Sequence, residues 1–241
     1  MNYLRAIRLK KQPPKDSYLN NLPVVKSLKN AGELTFDKPV TFLVGENGSG
    51  KSTLLESVAV AMGFNPEGGS RDFNFSTSDT HSPLYTMLTC VKSVRLMSDG
   101  FFLRAESFYN AASYIDDTAA SNGYIRYGGK SFHRQSHGES FLALAENRFG
   151  PGGLYILDEP EAALSPTRLM SLMVIIHRLA RQHSQFIIAT HSPILMTLPD
   201  SRIIQLTDDG FENVSYRETE HFIITKEFVN NPQKMLDMLF K

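Results

Sequence analysis

The stretch KPVTFLVGENGSGKSTLLES, residues 38–57, decides the fold of this chain. An apolar run from Val40 to Val44 ends in a glycine-rich loop, and a helical pattern follows it. The phosphate-binding pattern G-x-x-x-x-G-K-[ST] is met at all its fixed positions, which are Gly45, Gly50, Lys51 and Ser52. Backbone N–H groups surround the anion in such a loop, so its bends need residues that tolerate positive φ. A glycine-rich turn without a ligand is the alternative, but the strand before it and the helix after it favour a nucleotide.

The loop also predicts which groups hold the phosphates and a metal ion. The predicted nucleotide-binding residues are Gly45, Glu46, Asn47, Gly48, Ser49, Gly50, Lys51, Ser52 and Thr53. The helix that begins near Lys51 directs the positive end of its dipole at the same anion. Lys51 is placed to neutralise the β- and γ-phosphates, and the Ser52 hydroxyl is placed to ligate Mg²⁺.

Length and composition are those of an ordinary globular protein. The chain has 241 residues, with 25 Lys plus Arg and 25 Asp plus Glu, so its overall charge favours neither nucleic acid nor an acidic partner. The first 30 residues are basic, and either a phosphate-facing patch or a solvated face explains their cations, Arg5, Arg8, Lys10, Lys11, Lys15, Lys26 and Lys29. A single cysteine and the lack of a run of about 18 apolar residues predict a cytoplasmic protein without membrane insertion.

Apolar strands that alternate with long helices predict an α/β fold. We expect a P-loop NTPase core with a mostly parallel sheet, an N-terminal antiparallel β subdomain and a helical lobe. The whole chain, residues 1–241, is predicted to be one domain, with its parts at 1–62 (core), 63–152 (irregular loop, hairpin and helical lobe), 153–216 (core) and 217–241 (helical tail).

Turn signals predict two β-hairpins and leave one segment open. Residues 91–96 and 101–105 flank Ser-Asp-Gly, and residues 201–206 and 211–216 flank Asp-Asp-Gly, so each pair is predicted to form a hairpin. Residues 22–28 are consistent with either a short strand or a turn of helix. Helical patterns cover residues 52–62, 136–147 and 166–181.

A carboxylate pair follows the apolar run Leu154–Leu157 and predicts catalysis beside the phosphate loop. Asp158 is placed to join the Mg²⁺ shell, and Glu159 to orient or deprotonate an attacking water. An N-cap pair for the following helix is the alternative interpretation.

Two further segments point to the same site. His191 follows the buried strand at 185–189 and is predicted to touch a γ-phosphate, with an ordinary loop histidine as the alternative. The segment Gln135-Ser136-His137-Gly138-Glu139-Ser140 opens a helix, and Ser136 and Gly138 there form a second anion-binding helix start. The spacing of Ser136 and Glu139 also fits a capping box, and the two interpretations are compatible.

Together these motifs resemble the ABC ATPase superfamily over about residues 3–206. The segment at 135–140 resembles its signature loop, although Gln135, His137 and Glu139 depart from the usual residues. Residues 161–165, Glu-Ala-Ala-Leu-Ser, resemble its D-loop. Asp-Glu-Pro-Glu at 158–161 and Thr-His-Ser-Pro at 190–193 resemble the RecF/SMC-like (AAA-type) branch, here without a coiled coil.

The resemblance implies an ATPase that uses Mg²⁺ and forms a homodimer in the ATP state. Two copies would sandwich ATP head to tail, with Ser136 and Gly138 of one copy closing over the nucleotide of the other. Catalysis would rest on Glu159, Lys51 and His191, and metal binding on Ser52 and Asp158.

One family feature is missing. ABC ATPases carry a Gln between the phosphate loop and the signature, and this chain has none from residue 52 to 134. Asp72, Asn74 and His81 are the candidate substitutes. Tyr3, Tyr18 and Phe36 are the candidates to stack on adenine.

The sequence leaves the use of the ATPase open. DNA maintenance or defence, with DNA as a partner, and an ATP-gated switch that binds another protein are the main alternatives. The nucleotide-binding subunit of a transporter is a third, and the missing Gln disfavours it because transport domains couple there.

Overall fold

A computed structural model of the protein describes residues 2–71, 81–106, 108, 136–207 and 210–240. Its strands are β1 (Leu4–Leu9), β2 (Glu33–Thr35), β3 (Val40–Val44), β4 (Leu88–Lys92), β5 (Asp99–Arg104), β6 (Gly153–Asp158), β7 (Gln185–Ala189), β8 (Ser201–Leu206) and β9 (Phe211–Val214). Its helices are α1 (Pro23–Ala31), α2 (Lys51–Met62), α3 (His137–Arg148), α4 (Pro166–Arg181), α5 (Glu220–Asn230) and α6 (Pro232–Leu239). Within these residues no helix is both long and apolar enough to cross a membrane.

The central sheet has the strand order β5-β6-β7-β3-β8-β9. Strands β5, β6, β7, β3 and β8 run parallel, and β9 pairs antiparallel with β8. Every residue of β3, β6 and β7 is buried, which explains their uninterrupted apolar runs. The predicted mostly parallel α/β core is confirmed, and so is the hairpin of residues 201–206 with 211–216.

The N-terminal antiparallel sheet is also confirmed, but its membership corrects the sequence analysis. Its order is β2-β1-β4, and β4 pairs with β1 rather than with the segment after it. The predicted hairpin of residues 91–96 with 101–105 is therefore wrong, because β5 joins the central sheet parallel to β6. The burial pattern gives the reason. Four consecutive residues of β5, 100–103, are buried and need cover on both faces, whereas β4 is largely exposed beyond Leu88.

Residues 22–28 were left open between strand and helix, and the structure has Leu22 as the N-cap of α1 and residues 23–28 within that helix. This helix packs against the phosphate loop, where the Val24 N–H donates to the Ser49 carbonyl at 3.0 Å. Gly50 has a φ of 90°, and a Cβ there would lie 2.6 Å from Cγ1 of Val24. Glycine at this position thus serves both the left-handed turn and the close approach of α1.

Other expectations have mixed outcomes. Helices were predicted over 52–62, 136–147 and 166–181, and α2, α3 and α4 confirm them. The tail is helical, with its break at Asn231 as α5 gives way to α6. Within the predicted loop and lobe at 63–152, residues 72–80, 107 and 109–135 lie outside the described residues, and the division at residues 62, 152 and 216 stays a prediction.

A buried glutamine ties the two sheets together. Gln185, at the start of β7, accepts from the N–H groups of Tyr3 and Leu4 at 2.9 Å through its Oε1. Its Nε2 donates to the Leu4 carbonyl at 2.8 Å. Three backbone groups at the start of β1 are therefore paired by a side chain of the central sheet.

We expect Gln185→Leu to lower the free energy of unfolding by about 2–4 kcal/mol, because it leaves buried backbone groups without partners. The exposed Gln182, three residues earlier, is the matched control. Gln182→Leu should change stability by no more than about 0.5 kcal/mol. Chemical denaturation of both variants measures this, and equal losses would contradict the role of Gln185.

Candidate functional site

The phosphate loop joins β3 to α2 at the carboxyl edge of the central sheet. Positive φ angles at Gly45, Gly48 and Gly50, of 149°, 81° and 90°, give the loop its bends. At Gly45 a Cβ would lie 2.9 Å from the Leu206 carbonyl oxygen, so β8 closes one side of the loop. The predicted nucleotide-binding residues 45–53 thus lie together as one loop and helix start.

Lys51 turns back over this loop. Its Nζ donates to the carbonyl oxygens of Gly45 at 2.8 Å and Glu46 at 2.9 Å. Burial lowers the pKa of Lys51, while the nearby carboxylates of Glu159 and Asp158 oppose that shift. Its Nζ also donates to the Ser49 hydroxyl at 3.4 Å. A cation held in a low-dielectric loop mainly by neutral oxygens is suited to bind phosphate oxygens.

Ser52 and Asp158 meet across the sheet edge. The Ser52 hydroxyl donates to Oδ1 of Asp158 at 3.0 Å, although 106 positions separate the two residues. Burial raises the pKa of Asp158 to about 6, and the Arg104 guanidinium and the Ser52 hydrogen bond oppose the shift. A hydroxyl beside a carboxylate fits Mg²⁺, which is usually held by one or two protein oxygens plus phosphate and water. No cluster of three His, Cys, Asp or Glu in the described residues offers a cage of protein ligands instead.

Arg104 is a site residue that the sequence analysis missed. It ends β5 beside Asp158 and contacts three carboxylates, with Nη1 2.9 Å from Glu56, Nη2 3.4 Å from Glu106 and Nε 3.5 Å from Asp158. An arginine at the end of an apolar strand could have indicated a site residue, but it was overlooked because the strand was predicted to be part of a hairpin.

The candidate substitutes for the missing Gln gain little support. Asp72 and Asn74 lie outside the described residues. His81 lies beside the Tyr85 ring, with the two centroids 6.2 Å apart.

Glu159 adopts an unusual backbone conformation, φ 49° and ψ 53°, in the left-handed region. This costs about 1–2 kcal/mol for a residue other than glycine. The hydrogen bond from its N–H to the Ala189 carbonyl, at 3.0 Å, holds it to the end of β7. Its carboxylate Oε1 lies 3.5 Å from Nε2 of His191. The two predicted catalytic residues therefore face each other.

Glu161 fixes the segment that carries His191. The Thr190 hydroxyl donates to its Oε1 at 2.8 Å, and the His191 N–H donates to the same oxygen at 2.5 Å. Burial raises the pKa of Glu161, and these hydrogen bonds oppose the shift. Glu161 was predicted only as the start of a D-loop, so this contact adds a structural link between the D-loop and His191.

The predicted signature helix begins with a capping box. The Ser136 N–H and hydroxyl both donate to Oε2 of Glu139, at 2.9 and 2.7 Å. Arg168 of α4 binds the same pair, with Nη1 3.2 Å from the Ser136 hydroxyl and Nη2 2.9 Å from Glu139. The side chains of Ser136 and Glu139 are exposed at this corner. Gln135 lies outside the described residues.

Two of the candidate adenine-stacking residues are excluded by burial. The residues Tyr3 and Phe36 are each 3% exposed and belong to the core. Tyr18 is exposed and its hydroxyl donates to Ser82 at 3.0 Å, so it stays a candidate.

Two family models match the chain. One is described as "AAA domain" and matches residues 24–113. The other is described as "AAA domain, putative AbiEii toxin, Type IV TA system" and matches residues 140–197. Both matches are to AAA domains, which agrees with the predicted resemblance to the AAA-type ATPases. No curated protein matches the chain.

Solved structures align with the chain at low identity. They include cbiO1 from Clostridium perfringens, part of the ABC transporter complex cbiONQ (15% identity, 99% of this chain and 100% of that one, TM-score 0.49). A nucleotide-free ATP-binding cassette from an ABC transporter has 16% identity, full coverage of both chains and a TM-score of 0.48. The SMC head domain from Thermotoga maritima has 15% identity, covers 89% of this chain and 99% of that one, and has a TM-score of 0.44.

We expect Gly138→Ala to destabilise the protein by about 1–3 kcal/mol. Alanine favours a helix over glycine by about 1 kcal/mol, but a Cβ at this position would lie 2.9 Å from the Ala163 carbonyl oxygen. A backbone atom cannot yield as a flexible side chain does, so the clash outweighs the helix preference.

Gly150→Ala is the matched control, since the nearest atom to its Cβ would be an Asp99 carboxylate oxygen at 4.0 Å. Thermal unfolding of both variants tests the prediction. A Gly138→Ala variant as stable as the control would show that α3 and residues 160–163 are not tightly packed.

Proposed function

We propose that this chain, an ABC/AAA-type ATPase by motif and family match, binds Mg-ATP and hydrolyses it to ADP and phosphate. The observation that carries the proposal is the 3.0 Å contact between Ser52 and Asp158, which joins the phosphate loop to the carboxylate pair. Glu159 and His191 stand 3.5 Å apart on the same edge. The loop proposed to bind phosphate, the two proposed Mg²⁺ ligands and the proposed acid–base pair therefore lie at the same edge of the sheet.

Each group has a defined task in this proposal. The backbone N–H groups of residues 46–53 bind phosphate oxygens, and Lys51 exchanges its loop carbonyls for the β- and γ-phosphates. Ser52 and Asp158 hold Mg²⁺, which supplies neutralisation of the phosphate charge. Glu159 orients and deprotonates water, and His191 donates a hydrogen bond to the γ-phosphate.

A head-to-tail homodimer in the ATP state is part of the proposal. Its support is the exposed corner at Ser136, where the start of α3 is available to a second copy. Gly138 of this helix packs on residue 163, and residues 160–163 directly follow the carboxylate pair. Closure of Ser136 and Gly138 over a neighbouring nucleotide would therefore be transmitted to Glu159 through a packed contact.

We expect Glu159→Gln to slow ATP turnover by about 100-fold or more, because the amide cannot deprotonate water. ATP should then accumulate in a stable dimer, which light scattering coupled to size exclusion detects. Glu146→Gln, at an exposed position of α3, is the matched control and should behave as the unaltered protein. A monomeric Glu159→Gln variant with normal turnover would contradict both the catalytic role and the dimer.

DNA is the partner that we propose for the cycle, in maintenance or defence within the cytoplasm. The support is the exposure of five N-terminal cations, Arg5, Lys10, Lys11, Lys15 and Lys26. Arg8 contributes less, since it pairs with Glu33 at 2.7 Å. The alternative is an ATP-gated switch that binds another protein.

We expect duplex DNA to stimulate the ATPase at low salt, with binding that weakens steeply as salt rises. Replacing Lys10 and Lys11 with Ala should weaken binding about equally for all sequences, because phosphate contacts carry no base information. Replacing Lys226 and Lys234, in the tail helices α5 and α6, with Ala is the control with the same change of charge. If DNA neither binds nor stimulates the ATPase at low salt, that result favours the switch that binds another protein.

A further inference from the structure

The tail helix α5 reaches into the predicted ATP site. Nε2 of His221 lies 2.7 Å from Nδ1 of His191, and the two ring centroids are 4.7 Å apart at 60°. Residues 220 and 221 also line a cavity of about 330 Å³ with Glu46, Asn47 and His191. No family motif quoted above includes this helix, so the sequence analysis gave it no role.

We propose that His221 is a positioning residue that holds His191 in the tautomer able to donate to the γ-phosphate. The proposal rests on the proposed ATPase function and adds the C-terminal tail to the site.

The tautomers follow from the hydrogen-bond network. Nε2 of His191 faces the Glu159 carboxylate at 3.5 Å, and an ionised carboxylate only accepts hydrogen bonds. The neutral His191 ring therefore carries its hydrogen on Nε2, which leaves Nδ1 as an acceptor. The contact at 2.7 Å then requires that Nε2 of His221 be the donor.

The buried end of His191 is ready for a ligand oxygen. Its Nε2 is inaccessible to solvent, and the Glu159 carboxylate at 3.5 Å attracts its hydrogen without completing a hydrogen bond, so no partner within the described part of the chain satisfies it. Burial lowers the pKa of His191, and the cation of Lys51 and the second histidine lower it further. The ring is therefore neutral with its one N–H on Nε2, the nitrogen that we assign to the γ-phosphate.

The position of His221 is itself fixed by its surroundings. The Thr219 hydroxyl donates to the Tyr216 carbonyl at 2.7 Å just before α5 begins, and the Tyr216 ring meets Phe222 edge to face with centroids 5.1 Å apart. These contacts anchor the first turn of α5 to the end of the hairpin β8–β9. The imidazole at 221 is thereby held by the fold rather than by His191 alone.

A pair of substitutions separates donation from packing. Gln and Met have similar shape, but only Gln offers an N–H to Nδ1 of His191. We expect His221→Gln to keep turnover within about twofold, and His221→Met to lower it about tenfold, the effect of one strong hydrogen bond. ATP affinity should fall in the Met variant while ADP affinity is unchanged, because only ATP presents the γ-phosphate.

A tautomer measurement tests the proposal without turnover. Side-chain ¹⁵N spectra of the nucleotide-free protein at pH 8 should show His191 with its hydrogen on Nε2, with His191→Gln used to assign the signals. The Nε2–H form should persist in His221→Gln and give way to a mixture in His221→Met. An unchanged tautomer in the Met variant, or equal loss of turnover in both variants, would overturn the proposal. If the unaltered protein shows the expected tautomers but does not hydrolyse ATP, the ATPase function is refuted and the role of His221 toward His191 is not.

Discussion

The parallel alignment of β3, β6 and β7 is the constraint on which the rest of the structure depends. Adjacent parallel strands end at one edge, so the residues that follow them meet there regardless of their separation in sequence. The phosphate loop follows β3, the carboxylate pair closes β6, and His191 comes two residues after β7. The register pairs Asp158 with Ala189 and Leu43 with Ala189, which brings all three strand ends to one level.

Two charged groups are buried at this edge, and their burial is unfavourable in free energy when no ligand is bound. Lys51 and Asp158 are both buried, and burial disfavours the charged form of each. The protein offsets this with loop carbonyls around the ammonium and with Ser52 and Arg104 around the carboxylate. Phosphate would replace the loop carbonyls at Lys51, and Mg²⁺ would take the place of the hydrogen bond between Ser52 and Asp158, so binding exchanges one set of polar contacts for another.

Contacts from outside the core sheet place the remaining groups. The start of α1 supports the phosphate loop at Ser49, and α4 holds the capped end of α3 through Arg168. The tail helix α5 adds His221 to His191. Elements far apart in the chain thus support the edge, and each makes a polar contact there of 3.0 Å or less.

The sequence by itself determined the core and most of the site. The glycine spacing at 45–50, the apolar run before Asp158 and the strand before His191 are local patterns, and local patterns predict strands, helices and the residues that follow them. The sequence predicted a hairpin for β5, but this strand is buried on both faces and lies in the central sheet, where its last residue, Arg104, contacts Asp158. Strand pairing depends on which partner covers a face, and the sequence around a turn does not contain that information. His221 is the same case: the contact of Phe222 with Tyr216 and the placement of α5 set its distance to His191, and no local pattern encodes a contact over 30 residues.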